Sequence, residues 1–99
     1  MENKKITKKD IEMEIRKIID PELGIDIWTL GLIYETTIID ENNAHVLMTF
    51  TSPMCPAGGM LVNQVTQYVK DLGFENVDVE ITFDPPWQPT EELREALGV

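Results

Sequence analysis

The order of periodicities along this chain predicts a two-layer α+β domain, in which helices cover a three-stranded mixed sheet. Three observations carry that reading. Apolar residues recur first at helical spacing, then alternate over two runs split by a polar turn, and alternate once more after a second helical stretch. The stretch between the second and third alternating runs is long enough for a crossover helix, so the third strand should run parallel to the second. Ninety-nine residues without a repeat or a long linker support one modest core, which makes residues 1–99 a single domain with 1–6 a flexible basic start.

The elements follow in order. Thr7-Lys8-Lys9-Asp10 reads as a capping box with Asp in place of Glu. It opens a helix over Lys8 to Ile19 that puts Ile11, Ile15, Ile18 and Ile19 on one face, and Asp20-Pro21 stops it because proline disfavours a helical residue before it. A loop to Thr29 follows, with Gly24 as its flexible point. Leu30 to Ile39 alternates, with Leu30, Leu32, Tyr34, Thr36 and Ile38 on one side. After the polar Asp40-Glu41-Asn42-Asn43 turn, His45 to Thr51 alternates again, and the two strands should form an antiparallel hairpin. Pro56 to Leu72 is helical, with Leu61, Val65, Tyr68, Val69 and Leu72 on one face and Gly73 as its C-terminal cap. Val77 to Phe83 is the third strand. Asp84-Pro85-Pro86-Trp87-Gln88-Pro89 cannot continue a sheet, since three prolines remove ladder donors, and Thr90-Glu91-Glu92-Leu93 opens a short C-terminal helix held by Leu93 and Leu97. The order is α-β-β-α-β with a final helix.

Composition narrows the function classes. The chain is 42% hydrophobic and 26% charged, with no apolar run able to span a bilayer and no leader-like start, so no membrane partner and a cytoplasmic location are expected. A single cysteine forms no internal disulfide, in keeping with a reducing compartment. The formal net charge is −10, and six of the eight basic residues fall within the first seventeen positions. Such an acidic body repels phosphate backbones, which argues against nucleic acid.

The chemistry concentrates at Thr51-Ser52-Pro53-Met54-Cys55-Pro56-Ala57-Gly58-Gly59, which contains the only cysteine. Cys55 stands where a strand hands over to a helix. Proline suits the first helical position, which makes Cys55 the expected N-cap, where free N–H groups and the helix dipole favour thiolate over thiol. Ala57, Gly58 and Gly59 leave room for a metal, a cluster or a protein to approach. A small buried hydrophobe is the competing reading of that cysteine. Hairpin and crossover together should bring the Asp20 to Thr29 loop and the Phe83 to Trp87 segment to the same sheet end. Asp20, Glu22, Asp26 and Asp84 are the acidic candidates there, each with a structural alternative as a cap, turn or solvated residue. Thr51 could donate to sulfur or merely finish the strand, and Trp28 and Trp87 read as lids over the core edge. His45 lies at the far end of its strand, roughly 20 Å from Thr51 at about 3.3 Å per residue, so no Cys-His pair is expected.

Asp20-Pro21-Glu22-Leu23, Leu30-Gly31-Leu32-Ile33-Tyr34, the Thr51 to Pro56 run and Asp84-Pro85-Pro86-Trp87 together resemble the SufT/PaaD-like family of small iron-sulfur assembly domains, over about Ile11 to Val99. The resemblance implies an iron-sulfur cluster assembly domain-like fold and a role in maturing iron-sulfur proteins. Cys55 matches the family's functional cysteine, and Asp20 and Thr51 match positions flanking its site. No G-x-x-x-x-G-K-[ST] pattern is present, so no nucleotide cofactor is expected. Clusters commonly take four thiolates, more than one cysteine supplies. A transient cluster on Cys55 would be completed by a second copy, as in a homodimer, or by an iron-sulfur scaffold or client protein. The expectation is thus a non-catalytic accessory factor with Cys55 as cluster or metal ligand and Asp20, Glu22, Thr51, Asp84 and Trp87 around it. Two alternatives stand beside it: an interaction adaptor that binds no cluster, and a thiol enzyme with Cys55 as nucleophile, which lacks a convincing general base.

Overall fold

A computed structural model describes residues 5–51, 58–89 and 91–97. Its elements are α1 (Lys8–Ile15), β1 (Ile33–Ile38), β2 (Asn43–Met48), α2 (Gly58–Lys70), β3 (Asn76–Ile81) and α3 (Glu91–Leu97). The sheet order is β1-β2-β3, with β1 antiparallel and β3 parallel to the central β2, as hairpin and crossover require.

The capping box forms: Asp10 N–H donates to Thr7 Oγ1 at 3.2 Å, and Thr7 N–H donates to Asp10 Oδ2 at 2.9 Å. The helix it opens ends at Ile15, however, short of the predicted Ile19. Beyond Arg16 the bonds tighten, Lys17 N to Glu14 O and Ile18 N to Ile15 O. The chain then extends because it is paired with its own return: Ile27 N donates to Ile18 O at 3.0 Å, Asp20 N donates to Ile25 O at 2.9 Å, and Ile19 bridges Asp26. Ile11, Ile15 and Ile18 are buried as predicted, but Ile19, no longer helical, is 49% exposed.

The bounds of each predicted strand also move, β2 starting at Asn43 and β3 at Asn76. Residues 27–31 form a turn, so β1 starts at Ile33, although Leu30 and Leu32 are buried all the same. Ile33 sits opposite Met48 and Glu35 opposite Leu47, which leaves Tyr34 as an extra residue in the ladder. This β-bulge interrupts the alternation that the sequence suggested was continuous. β2 ends at Met48 rather than Thr51, and β3 at Ile81 rather than Phe83. The hairpin turn is held by Asp40, whose carboxylate accepts from Asn42 N–H at 2.8 Å and from the Asn43 amide at 2.9 Å; these bonds, the backbone one foremost, hold its pKa below the ordinary 3.8.

Alternation decides the core. Ala44, Val46 and Met48 of β2 face Ile11 and Ile15 of α1 and Leu61, Val65 and Val69 of α2 in one buried cluster. Each of these side chains larger than Ala44 contributes roughly 1.5–3 kcal/mol relative to exposure. Tyr68 and Leu72 pack half-buried beside them, Gly73 takes a φ of +129° after α2, and Phe74 closes the core at 4% exposure. Leu93 anchors α3, and the Leu97 side chain lies outside the described residues. On the outer face His45 Nε2 lies 3.0 Å from Glu80 Oε1 and 3.7 Å from Asp78 Oδ2, so two carboxylates partly cover this histidine.

Candidate functional site

The described residues place the C-terminal end of β2 at the meeting point of three distant segments. Thr49 is wholly buried, and its N–H donates to Leu32 O at 2.8 Å. Leu32 N in turn donates to Ile27 O at 3.1 Å, and Ile27 N to Ile18 O at 3.0 Å. A relay of backbone hydrogen bonds therefore runs from the end of β2 to the loop that carries Asp20. From the other side Thr82 N donates to Met48 O at 2.9 Å, so the chain leaving β3 stays on the same end. It then crosses to β1: Tyr34 OH donates to Pro85 O at 2.7 Å, and Trp87 Nε1 donates to Leu30 O at 2.6 Å.

Asp20 is the buried acidic side chain among the described residues of this region, at 0% exposure. Its Oδ1 accepts from Glu22 N at 2.8 Å and Leu23 N at 3.3 Å, and its carbonyl accepts from Gly24 N at 2.8 Å, so it builds the turn around Pro21. Its Oδ2 is buried with no hydrogen-bond partner among the described residues. A buried carboxylate oxygen is costly to leave unpaired, and such an atom calls for a reason.

The other candidates separate by role. Glu22 is exposed and lends its backbone N–H to Asp20. Asp26 accepts from Thr29 N at 2.9 Å and caps the following turn. Asp84 is exposed, and its N–H donates to Thr82 Oγ1 at 3.2 Å. Thr51 is half-buried. Trp87 is half-buried against the core edge, and Trp28 lies beneath the Arg16 guanidinium, 5.8 Å from the ring centroid. Cys55, and the N-cap position expected of it, lie outside the described residues. The flanks of its segment are described: Phe50 stands so close to Gly58 that a Cβ there would meet its Cε2 at 2.8 Å. Phe50 also packs against Phe83, the ring centroids 6.2 Å apart and the planes tilted by 60°.

Sequence reasoning missed Tyr34, reading it as one more alternating residue. Its signal was available in principle, since a tyrosine hydroxyl near a sheet core requires a polar partner. Among the described residues no group of three or more His, Cys, Asp or Glu side chains is placed to hold a metal ion. An open groove of about 750 Å³ lies at the opposite sheet end, between Ile6, Ile39, Asp40 and Leu72, and shares no residue with this region.

Comparison with known proteins identifies relatives. The model of the family described as iron-sulfur cluster assembly protein matches residues 8–82. The Fe-S protein maturation auxiliary factor SufT of Staphylococcus aureus is 42% identical over 71 residues, covering 71% of this chain and 81% of that protein. The Fe-S protein maturation auxiliary factor YitW of Bacillus subtilis is 36% identical over 81 residues, covering 81% of this chain and 79% of its own. A solved structure, of a conserved hypothetical protein of Thermotoga maritima, matches with TM-score 0.85 and 48% identity over 99% of this chain and 100% of the other.

Proposed function

The chain belongs to the iron-sulfur cluster assembly protein family, and from that premise we propose that it is an auxiliary factor in the maturation of iron-sulfur proteins, with Cys55 as a transient ligand of the cluster it handles. The observation that carries the reading is the buried Oδ2 of Asp20, without a hydrogen-bond partner among the described residues, in a loop tied by backbone bonds to the end of β2. An acceptor oxygen left without a partner among the described residues suits a hydrogen bond from a ligand or partner group brought to this end of the sheet.

The cluster is cargo. One cysteine cannot complete its ligand shell, so thiolates of an iron-sulfur scaffold, a client protein or a second copy of this chain supply the rest. That requirement favours exchange over storage, and it makes the factor non-catalytic in itself, working beside its partners in the cytoplasm. To Glu22, Thr51, Asp84 and Trp87 this reading assigns the polar and aromatic surroundings of that ligand.

The test is anaerobic reconstitution with ferrous iron and sulfide, following visible absorbance and iron content beside Cys55→Ser. The expected result is cysteine-dependent absorbance with less than one cluster per chain. Absorbance that is equal in Cys55→Ser, or absent from the wild type, would overturn the ligand role and leave an adaptor that acts by protein contact alone.

A further inference from the structure

We infer that the free edge of β3 is a docking site for an extended segment of a partner protein, one in which basic residues alternate with apolar ones and which joins the sheet as a fourth strand. β3 stands last in the sheet order β1-β2-β3, and among the described residues β2 and α2 are the elements in contact with it. The backbone bonds show which of its groups are spare. Asn76 N donates to Asn42 O and Thr82 N donates to Met48 O, both at 2.9 Å. Backbone groups of a strand point alternately to its two sides, so the even-numbered residues between these two also turn toward β2. Val77, Val79 and Ile81 therefore turn their N–H and C=O groups to the open edge. Such a row is a template for another strand.

The two faces of the edge define what fits beside it. On the inner face Val77, Val79 and Ile81 pack against the core yet stay half-buried, so apolar side chains of an added strand would extend that layer. On the outer face the side chains of Asp78 and Glu80 are 80% and 60% exposed, and from the β2 side they meet His45 at 3.7 Å and 3.0 Å. Opposite charges across a strand pair stabilise it, and like charges directly opposite destabilise it. A lysine or arginine beside each carboxylate is thus favoured. The same rule disfavours a second copy of this chain. Two β3 strands paired antiparallel about Val79 would set Asp78 of each against Glu80 of the other, between bodies that each carry a formal net charge of −10. Charge selects the basic residues of the partner, and the apolar inner face makes them alternate.

The test follows hydrogen exchange of the full chain, amide by amide, with a synthetic peptide that alternates lysine and valine. Beside it stand a glutamate-valine peptide and two analogues of the first, one N-methylated on its valine amides and the other on its lysine amides. An added antiparallel strand turns the valine amides to β3 and a parallel one the lysine amides, so one methylation blocks pairing and the other does not. In the free chain Val77, Val79 and Ile81 should exchange fast, and the lysine-valine peptide should slow all three. The glutamate-valine peptide should bind roughly tenfold or more weakly, and one methylated analogue should fail while the other binds. Asp78→Lys combined with Glu80→Lys, at two exposed side chains, should turn the preference to the glutamate-valine peptide. Exchange that the peptide leaves unchanged, or two methylated analogues that behave alike, would overturn the edge pairing. A charge preference that is absent, or that survives the double substitution, would remove the basic partner. Protection that rises with protein concentration in the absence of peptide would assign the edge to a second copy instead.

Discussion

Asp20 divides its carboxylate between two jobs. Oδ1 accepts from Glu22 N and Leu23 N and shapes the turn, whereas Oδ2 has no partner among the described residues. The two jobs can be separated by substitution. Asp20→Asn keeps an acceptor for both amides and should stay within about 1 kcal/mol of wild-type stability, yet lower cluster formation, because an amide puts an NH2 donor and no charge where Oδ2 offers an acceptor. Asp20→Ala strips the turn as well and should cost on the order of 1–3 kcal/mol, read from urea midpoints. Full cluster yield in Asp20→Asn would remove the carboxylate from the chemistry. The sequence made Asp20 a candidate through its place before proline and through the family resemblance. It could not reveal which oxygen was spoken for, because that depends on how the chain folds back after Pro21.

At the scale of elements, periodicity was enough for every helix and strand and for the direction of each pairing. Ends were another matter. α1 stops at Ile15 because residues 18–20 are claimed by residues 25–27, a contact that helical spacing of isoleucines cannot disclose. The bulge at Tyr34 was equally hidden, since one extra residue leaves the apolar count of a strand unchanged. The start of α2 carries a testable contrast. A Cβ at Gly58 would meet Phe50 at 2.8 Å, whereas nothing lies within 4 Å of one at Gly59. Gly59→Ala should therefore stabilise the protein by up to about 1 kcal/mol, the usual gain from replacing a helical glycine. Gly58→Ala must displace the Phe50 ring and disturb its packing on Phe83, so thermal melts should place its midpoint below that of Gly59→Ala. The reverse order would mean that Phe50 yields freely and does not fix the helix start.

At the scale of the whole molecule, charge and topology are distributed differently. Most of the basic residues lie in or beside α1, where Arg16 and Lys17, just past its end, pair with Glu12 and Glu14 of the helix at 2.8 Å and 2.9 Å. The rest of the chain is left acidic. Topology instead gathers segments up to 57 residues apart at one end of the sheet, and the sequence allowed this to be foreseen because a hairpin followed by a crossover leaves few other arrangements. What it did not show is how firmly those segments are joined. The relay from Thr49 through Leu32 and Ile27 to Ile18 runs between residues that are all buried and that belong to no named strand. In deuterated solvent the amides of Thr49, Leu32 and Ile27 should accordingly exchange as slowly as those of β2, opening only when the whole domain unfolds. A stretch of chain that looks like loop would then have the kinetic permanence of a sheet, and the Asp20 side of the site would stand ready before any partner arrives.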